Sequence, residues 1–293
     1  MSARGIPPGC FGTRRRHAMT ASRLERVAIS RGPMADLRRG RRYNATSLAR
    51  ALSILGLFEP STPSLSATQI ARSLRVRPGS LYPALSTLER FGYLERRPDK
   101  RFRLGLKLLE RGHTILQSLD MYERAKPALR ELARALSANA HLAVLHQGQV
   151  LYLCREEAAP SAVFPSIVGR LVPAHCTALG KVLLAHMTPA ERRQLLAARP
   201  LERRTPRTIT SLRRLEVELA AVTRRGFGVD NEELNAGVMC VAAPIRDHAG
   251  EVVAAISVSL LKARVTDARL EKIAQEVIRT AGIISRAMGY QPA

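Results

Sequence analysis

The chain has no long apolar run. The longest stretches, such as Val252–Ile256, fall far short of the roughly 20 residues a membrane span needs, and no hydrophobic region near the N-terminus marks secretion. A cytoplasmic protein without a membrane partner is expected. Cysteine is scarce: Cys10, Cys154, Cys176 and Cys240 are widely spaced, with no CxxC pair and no zinc-finger spacing. Free thiols in a reducing compartment follow, rather than disulfides or a bound metal. There is no nucleophile elbow, no helical pair of carboxylates and no metal-ligand spacing. Neither an enzyme nor a cofactor is therefore expected. The hydrolase arrangement that remains open would set Cys176 or Ser257 beside His175, and a thiol switch through Cys176 or Cys240 is a second alternative. No internal repeat is visible.

Acidic residues are also few, 24 against 47 Lys and Arg, for a net charge of +23. The excess is uneven. Residues 1–42 carry +9, residues 43–105 carry +6, and the remaining 188 residues carry +8, so the positive charge concentrates in the first third. A polyanionic partner such as nucleic acid fits that distribution, because counterion release drives binding to phosphate. An anionic membrane surface fits less well, since no basic amphipathic helix with a strong apolar face is present there. Residues 1–42, rich in Arg, Gly, Pro and Ser, read as a disordered basic arm. Met19 or Met34 as the true start, or an organelle transit composition, are the alternatives for that arm.

Residues 43–105 read as a winged helix-turn-helix. Ser47–Phe58 is amphipathic, with Leu48, Ala51, Leu52, Leu55 and Phe58 on one side. Ser66 and Gln69 form a capping box, bracketed by Leu65 and Ile70 as a hydrophobic staple. The short helix that follows turns at Arg75-Val76-Arg77, and Pro78 suits the opening of the next helix. Leu81, Leu85 and Leu88 form its core stripe. Pro83 would break a helix interior, so the regular helix should start near Ser80 or Leu81, with Pro83 in its first turn. Ser80, Tyr82, Ser86 and Thr87 lie off the stripe, on the side that would enter a major groove. Ser66, Thr68 and Gly79 join them as expected DNA contacts. After Gly92, two β-prone runs joined at Pro98-Asp99 form a hairpin. Its Arg96, Arg97, Lys100, Arg101 and Arg103 would grip phosphates. Residues 106–121 read as a linker helix whose Leu106, Leu109, Ile115, Leu116 and Leu119 serve either dimerisation or packing on the second domain.

The second domain, residues 122–290, reads as an α+β layer domain. Expected are a helix Tyr122–Leu136 interrupted at Pro127, and a hairpin across Gln147-Gly148-Gln149. A strand-like stretch through Val163, Phe164 and Ile167 leads to a loop over residues 168–173. Helices follow at Thr177–His186, Pro189–Ala197 and Ser211–Arg225, then strands at Val238–Ile245 and Val252–Val258. A long helix capped by Thr266 or Asp267 closes the chain.

Several stretches taken in order resemble one family. They are Ser47-Leu48-x-Arg50-Ala51-Leu52-x-Ile54-Leu55, Leu65-Ser66-x-Thr68-x-Ile70-Ala71, Gly92-Tyr93-Leu94 with Phe102-x-Leu104-Gly105, and Gly169-x-x-x-Pro173-x-His175-x-Thr177-Ala178-x-Gly180-Lys181. Further matches are Gly226-Phe227-x-x-Asp230-x-Glu232-Glu233, Gly237-x-x-Cys240-x-Ala242-Ala243-Pro244 and residues 254–259. The chain from Ser47 onward resembles the IclR family of bacterial transcriptional regulators. The stretch Pro78–Leu85 departs and looks more like the recognition helix of PadR-type regulators. The resemblance implies a winged helix joined to a GAF-like effector-binding domain, double-stranded promoter DNA as partner, a small organic-acid effector, and a homodimer or dimer of dimers. It places the effector pocket on Gly169, Arg170, Leu171, Asp230, Cys240, Ser257 and Ser259. The chemistry fits in part: Ser257 and Ser259 share one strand face, and Arg170 offers a carboxylate a charge-assisted bond. His175 is a possible pocket donor or equally a helix-start histidine bonded to backbone. Standing alone, Asp230 would more often be a turn residue, and Cys240 a buried thiol.

Overall fold

A computed structural model describes residues 46–158, 168–197 and 200–292. The expected basic arm and the strand-like stretch at Val163, Phe164 and Ile167 lie outside the described residues.

The N-terminal unit is three helices and a hairpin around one small core. Helix α1 spans Thr46–Leu55 and buries Ile54. Its apolar face is wider than one core can cover: Ala51, Leu55 and Phe58 pack partly inward, whereas Leu48 and Leu52 are each 60% exposed. Two leucines of the expected apolar side therefore lie outside the core. Helix α2, Ala67–Leu74, starts with the expected capping box: Ser66 Oγ accepts from Gln69 N–H at 3.2 Å, and Gln69 Oε1 accepts from Ser66 N–H at 2.9 Å. A 3₁₀ turn over Pro78–Leu81 precedes helix α3, Tyr82–Arg90, so Pro83 does sit in a first turn where its missing N–H breaks nothing. Leu81, Leu85 and Leu88 are all buried. Strands β1 (Leu94–Arg96) and β2 (Phe102–Leu104) form the wing. Leu65 bridges to Phe102 beside them, which ties the start of α2 to the wing.

Helix α4, Lys107–Ser118, buries none of its residues. Leu116 and Leu119 pack on the core of the following unit, while Leu106, Leu109 and Ile115 stand 77%, 71% and 61% exposed. Helix α5 runs unbroken over Asp120–Leu136, straight through the exposed Pro127.

The second unit is a six-stranded antiparallel sheet ordered β5-β4-β3-β8-β7-β6. Its strands are β3 (Asn139–His146), β4 (Gln149–Glu157), β5 (Leu171–Pro173), β6 (Gly228–Asn231), β7 (Val238–Arg246) and β8 (Val252–Leu261). The turn between β3 and β4 uses Gln147 and Gly148, both at positive φ, as a tight hairpin with right-handed twist requires. Helix α5 and the long α9 (Asp267–Ala287) cover one sheet face. Helices α6 (Ala178–Ala185), α7 (Pro189–Ala197) and α8 (Leu212–Arg225) cover part of the other. Two short edge strands correct the expectation: residues 171–173 pair with β4 instead of forming a loop, and β6 pairs with β7. No helix among the described residues is long and apolar enough to cross a membrane.

Helix α6 lies so close to its neighbours that glycine is required. A Cβ on Gly180 would stand 2.1 Å from the Ala174 carbonyl oxygen, and one on Gly228 would stand 2.8 Å from that of Ala178. Both obstacles are backbone. Gly180→Ala is expected to cost about 3 kcal/mol by overpacking, read as a fall in the urea midpoint with unchanged slope.

Candidate functional site

Two surfaces carry chemistry. On the N-terminal unit, α3 turns its leucines inward and leaves Tyr82, Ser86 and Arg90 as a row at i, i+4 and i+8, all exposed. Arg90 was not among the expected contacts, although its spacing from Ser86 is the signal. The hydroxyls differ in availability. Thr87 Oγ1 donates back to the Pro83 carbonyl at 2.7 Å, Ser80 Oγ donates to the Arg77 carbonyl at 2.8 Å, and Ser66 Oγ is shared between its capping role and Thr68. Gly79 is open, with nothing near the place a Cβ would occupy.

The five wing cations also divide. Arg101 reaches back to Ser64, donating to its hydroxyl at 3.1 Å and its carbonyl at 2.7 Å. Arg103 is bidentate on Glu95 at 3.0 and 2.7 Å, which holds that carboxyl below its usual range. Arg96, Arg97 and Lys100 remain the outward charges near the turn, with Arg96 over the Phe102 ring and Arg97 3.8 Å from Asp99.

The second surface lies within the sheet. On the face toward α6, β8 changes character along its length: Ala255 packs in the apolar cluster, but Ser257 and Ser259 follow it. Register carries this across the strands. Asp230, Cys240, Ser259 and Asn139 form one row, and Ala242, Ser257, His141 and Arg155 form the next. Asp230, Asn139, His141, Ser257 and Ser259 are all buried. Cys240 Sγ lies 3.1 Å from Ser259 Oγ, and Tyr152 meets His141 edge-on with ring centroids 5.4 Å apart. Cys240, Asp230, Arg170 and Cys176 all lie close enough to the Tyr152 hydroxyl for their charges to act on it. Gly169 N–H donates to the Tyr152 carbonyl at 2.8 Å, which brings the Gly169-Arg170-Leu171 stretch to the same sheet edge.

His175 stands apart from this cluster. It is bonded to the Glu202 carbonyl at 3.0 Å and lines a surface pocket with Gly148, Leu195 and Pro200. Cys176 turns to the Pro173 carbonyl, so the two do not make a nucleophile–base pair. Burial pushes Cys154 up to about 11, Cys176 up to about 12 and Cys240 higher still.

The sequence reading missed what braces the loop after Asp230. Lys181, 1% exposed, donates to the Val229 carbonyl at 2.8 Å and is ion-paired to Glu233. Thr208 Oγ1 donates to the Glu233 carbonyl, and Thr205 Oγ1 to that of Glu232, each at 2.7 Å. Asp230 Oδ1 accepts from Glu233 N–H at 2.7 Å. Burial raises the Asp230 carboxyl to about 7 despite that bond. Because the folded value exceeds the unfolded one, the native state holds the extra proton between about pH 4 and 7, and stability falls as pH rises through that window. The slope approaches about 1.4 kcal/mol per pH unit. Asp230→Asn keeps the acceptor and removes the titration. Wild type is expected to lose stability relative to this variant between pH 4.5 and 7.5 in urea titrations, and a constant difference would count against the assignment.

Comparison with known proteins identifies the family. The family model for the "IclR helix-turn-helix domain" matches residues 47–98, and that for "Bacterial transcriptional regulator IclR C-terminal" matches residues 113–286. The chain belongs to the IclR family. It is 37% identical over 245 residues to the HTH-type transcriptional regulator XynR of Escherichia coli, covering 83% of this chain and 97% of that one. The IclR structure from Thermotoga maritima matches with a TM-score of 0.68 at 31% identity, over 84% of this chain and all of that one. An IclR homologue from Microbacterium hydrocarbonoxydans, complexed with 4-hydroxybenzoate, matches with a TM-score of 0.73 at 26% identity over 83% and 98%. The protein is an IclR-type DNA-binding transcriptional regulator.

Proposed function

We propose that this IclR-family regulator binds promoter DNA through the α3 row and the wing cations, and that a small organic acid bound on the polar sheet face sets its DNA affinity. In this reading residues 43–105 bind DNA, 106–121 link, 122–290 bind effector, and the protein works in the cytoplasm as a homodimer or dimer of dimers. Leu106, Leu109 and Ile115, exposed at the start of α4 and along it, supply apolar side chains for contact with a second copy. The observation that carries the effector assignment is the pair of adjacent rows in which the buried Asp230, Ser257 and Ser259 sit with the partly buried Cys240 on one sheet face. An apolar core has no use for such groups, whereas a polar ligand does. Ligand-bound and ligand-free forms would hold the two winged units at different spacing, which changes the fit to paired half-sites.

The test is thermal unfolding of the full chain with pyruvate, gluconate and 4-hydroxybenzoate in turn. At least one acid should raise Tm in the wild type and lose most of that effect in Ser257→Ala. A panel that leaves Tm unmoved, or a shift indifferent to Ser257, would refute the effector assignment.

A further inference from the structure

Resting on the reading of α3 above, we infer that Arg50 is a positioning residue for base recognition: it fixes the turn from which the DNA-reading helix starts, and acts through Ser80 rather than on the duplex. Arg50 lies half-buried on α1, one helical turn before Ile54, the fully buried anchor of that helix. The exposed Leu48 and Leu52 leave from the opposite side, about half a turn round. Packing of Ile54 therefore aims Arg50 at α3. Its Nη1 donates to the Ser80 carbonyl at 3.1 Å, 30 residues further along the chain.

The 3₁₀ turn over Pro78–Leu81 has little else to hold it from outside. Pro78 and Pro83 have no N–H to give, and Gly79 has no side chain to pack. The remaining bonds are short-range: the Ser80 N–H and hydroxyl both go to the Arg77 carbonyl, at 3.0 and 2.8 Å. Leu81 anchors the far end in the core. Among the described residues, the Arg50 bond is the hydrogen bond that joins this turn to another helix. Gly79, Ser80 and Tyr82 stand at the N-terminal end of α3, the part of a recognition helix that reaches base edges. Phosphate contacts position a protein on any duplex, whereas base contacts select the sequence. A loosened turn therefore costs sequence preference and spares the sequence-independent share of affinity.

The test compares a duplex from the protein's own upstream region with a scrambled duplex of the same composition, by anisotropy on the full chain, for wild type, Arg50→Met and Tyr82→Ala. Arg50→Met keeps the aliphatic stem and removes the donor. It should weaken binding to the upstream duplex about tenfold. Affinity for the scrambled duplex should stay within about twofold, with the same salt slope. Arg50→Lys serves if that variant does not fold. It keeps the charge but lacks the fixed fork of the guanidinium, so preference for the upstream duplex should still fall at least about threefold. Equal losses on both duplexes, with a slope smaller by about 0.9, would make Arg50 a phosphate contact and overturn the inference. An upstream preference unchanged in the Arg50 variants but lost in Tyr82→Ala would also overturn it and leave the α3 reading standing. Wild type that binds both duplexes alike would overturn both.

Discussion

Lys181→Met lowers the unfolding free energy by about 3–5 kcal/mol, the penalty for leaving a buried charge without its partner. Lys181 is 1% exposed on an otherwise apolar helix, and Glu233 is ion-paired to it from 52 residues further along the chain. Methionine matches the aliphatic stem, so the loss is one of charge and hydrogen bonding rather than volume. Three consequences converge on the Asp230 loop. Glu233 loses its counter-charge, the Val229 carbonyl loses a donor, and Asp230 loses a cation that lowers its pKa. Adding Glu233→Gln should recover part of the stability, because the stranded charge is then gone. A double-mutant cycle read by urea unfolding measures the coupling. A single variant within about 0.5 kcal/mol of wild type would place this pair among ordinary surface ion pairs and contradict the burial argument.

Replacing Arg96, Arg97 and Lys100 together by alanine weakens DNA binding on every sequence alike and flattens its salt dependence. Each phosphate contact contributes about 0.9 to the slope of log Kobs against log salt, so three lost contacts per winged unit remove about 2.7. These three cations are outward-facing, whereas Arg101 is spent on Ser64 and Arg103 on Glu95. Arg103→Ala alone should therefore change the slope much less than its formal charge suggests, since Glu95 already neutralises it. Fluorescence anisotropy on one duplex from 50 to 200 mM salt reads both. An unchanged slope in the triple variant would mean that the wing does not touch phosphate.

What could be read directly from the sequence was local. The capping box at Ser66, the hairpin turn at Gln147-Gly148 and the Thr266 cap of α9 each depend on a few neighbouring residues, and each stands where expected. What could not be read depends on partners far along the chain. Strands β5 and β6 are too short to carry a periodic signal and exist because β4 and β7 offer edges. Leu48 and Leu52 look like core residues in a helix whose actual anchor is Ile54. In the sheet, Ser257 and Ser259 were found through the family resemblance and the strand period. Asn139 and His141 were missed because their alignment with those serines is a fact of register between β3 and β8. Of the two readings open for His175, the structure shows the ring bonded to backbone, at the Glu202 carbonyl.

The central claim is that the polar sheet face and the DNA-reading helix share one equilibrium. The most direct measurement is the Kd for a duplex from the protein's own upstream region at about 150 mM salt, without and with the acid that raises Tm, for wild type and Ser257→Ala. A change of about 5- to 150-fold is expected in wild type, in either direction, and almost none in the variant. Equal affinity with and without the acid, while calorimetry confirms that the acid is bound, would contradict it.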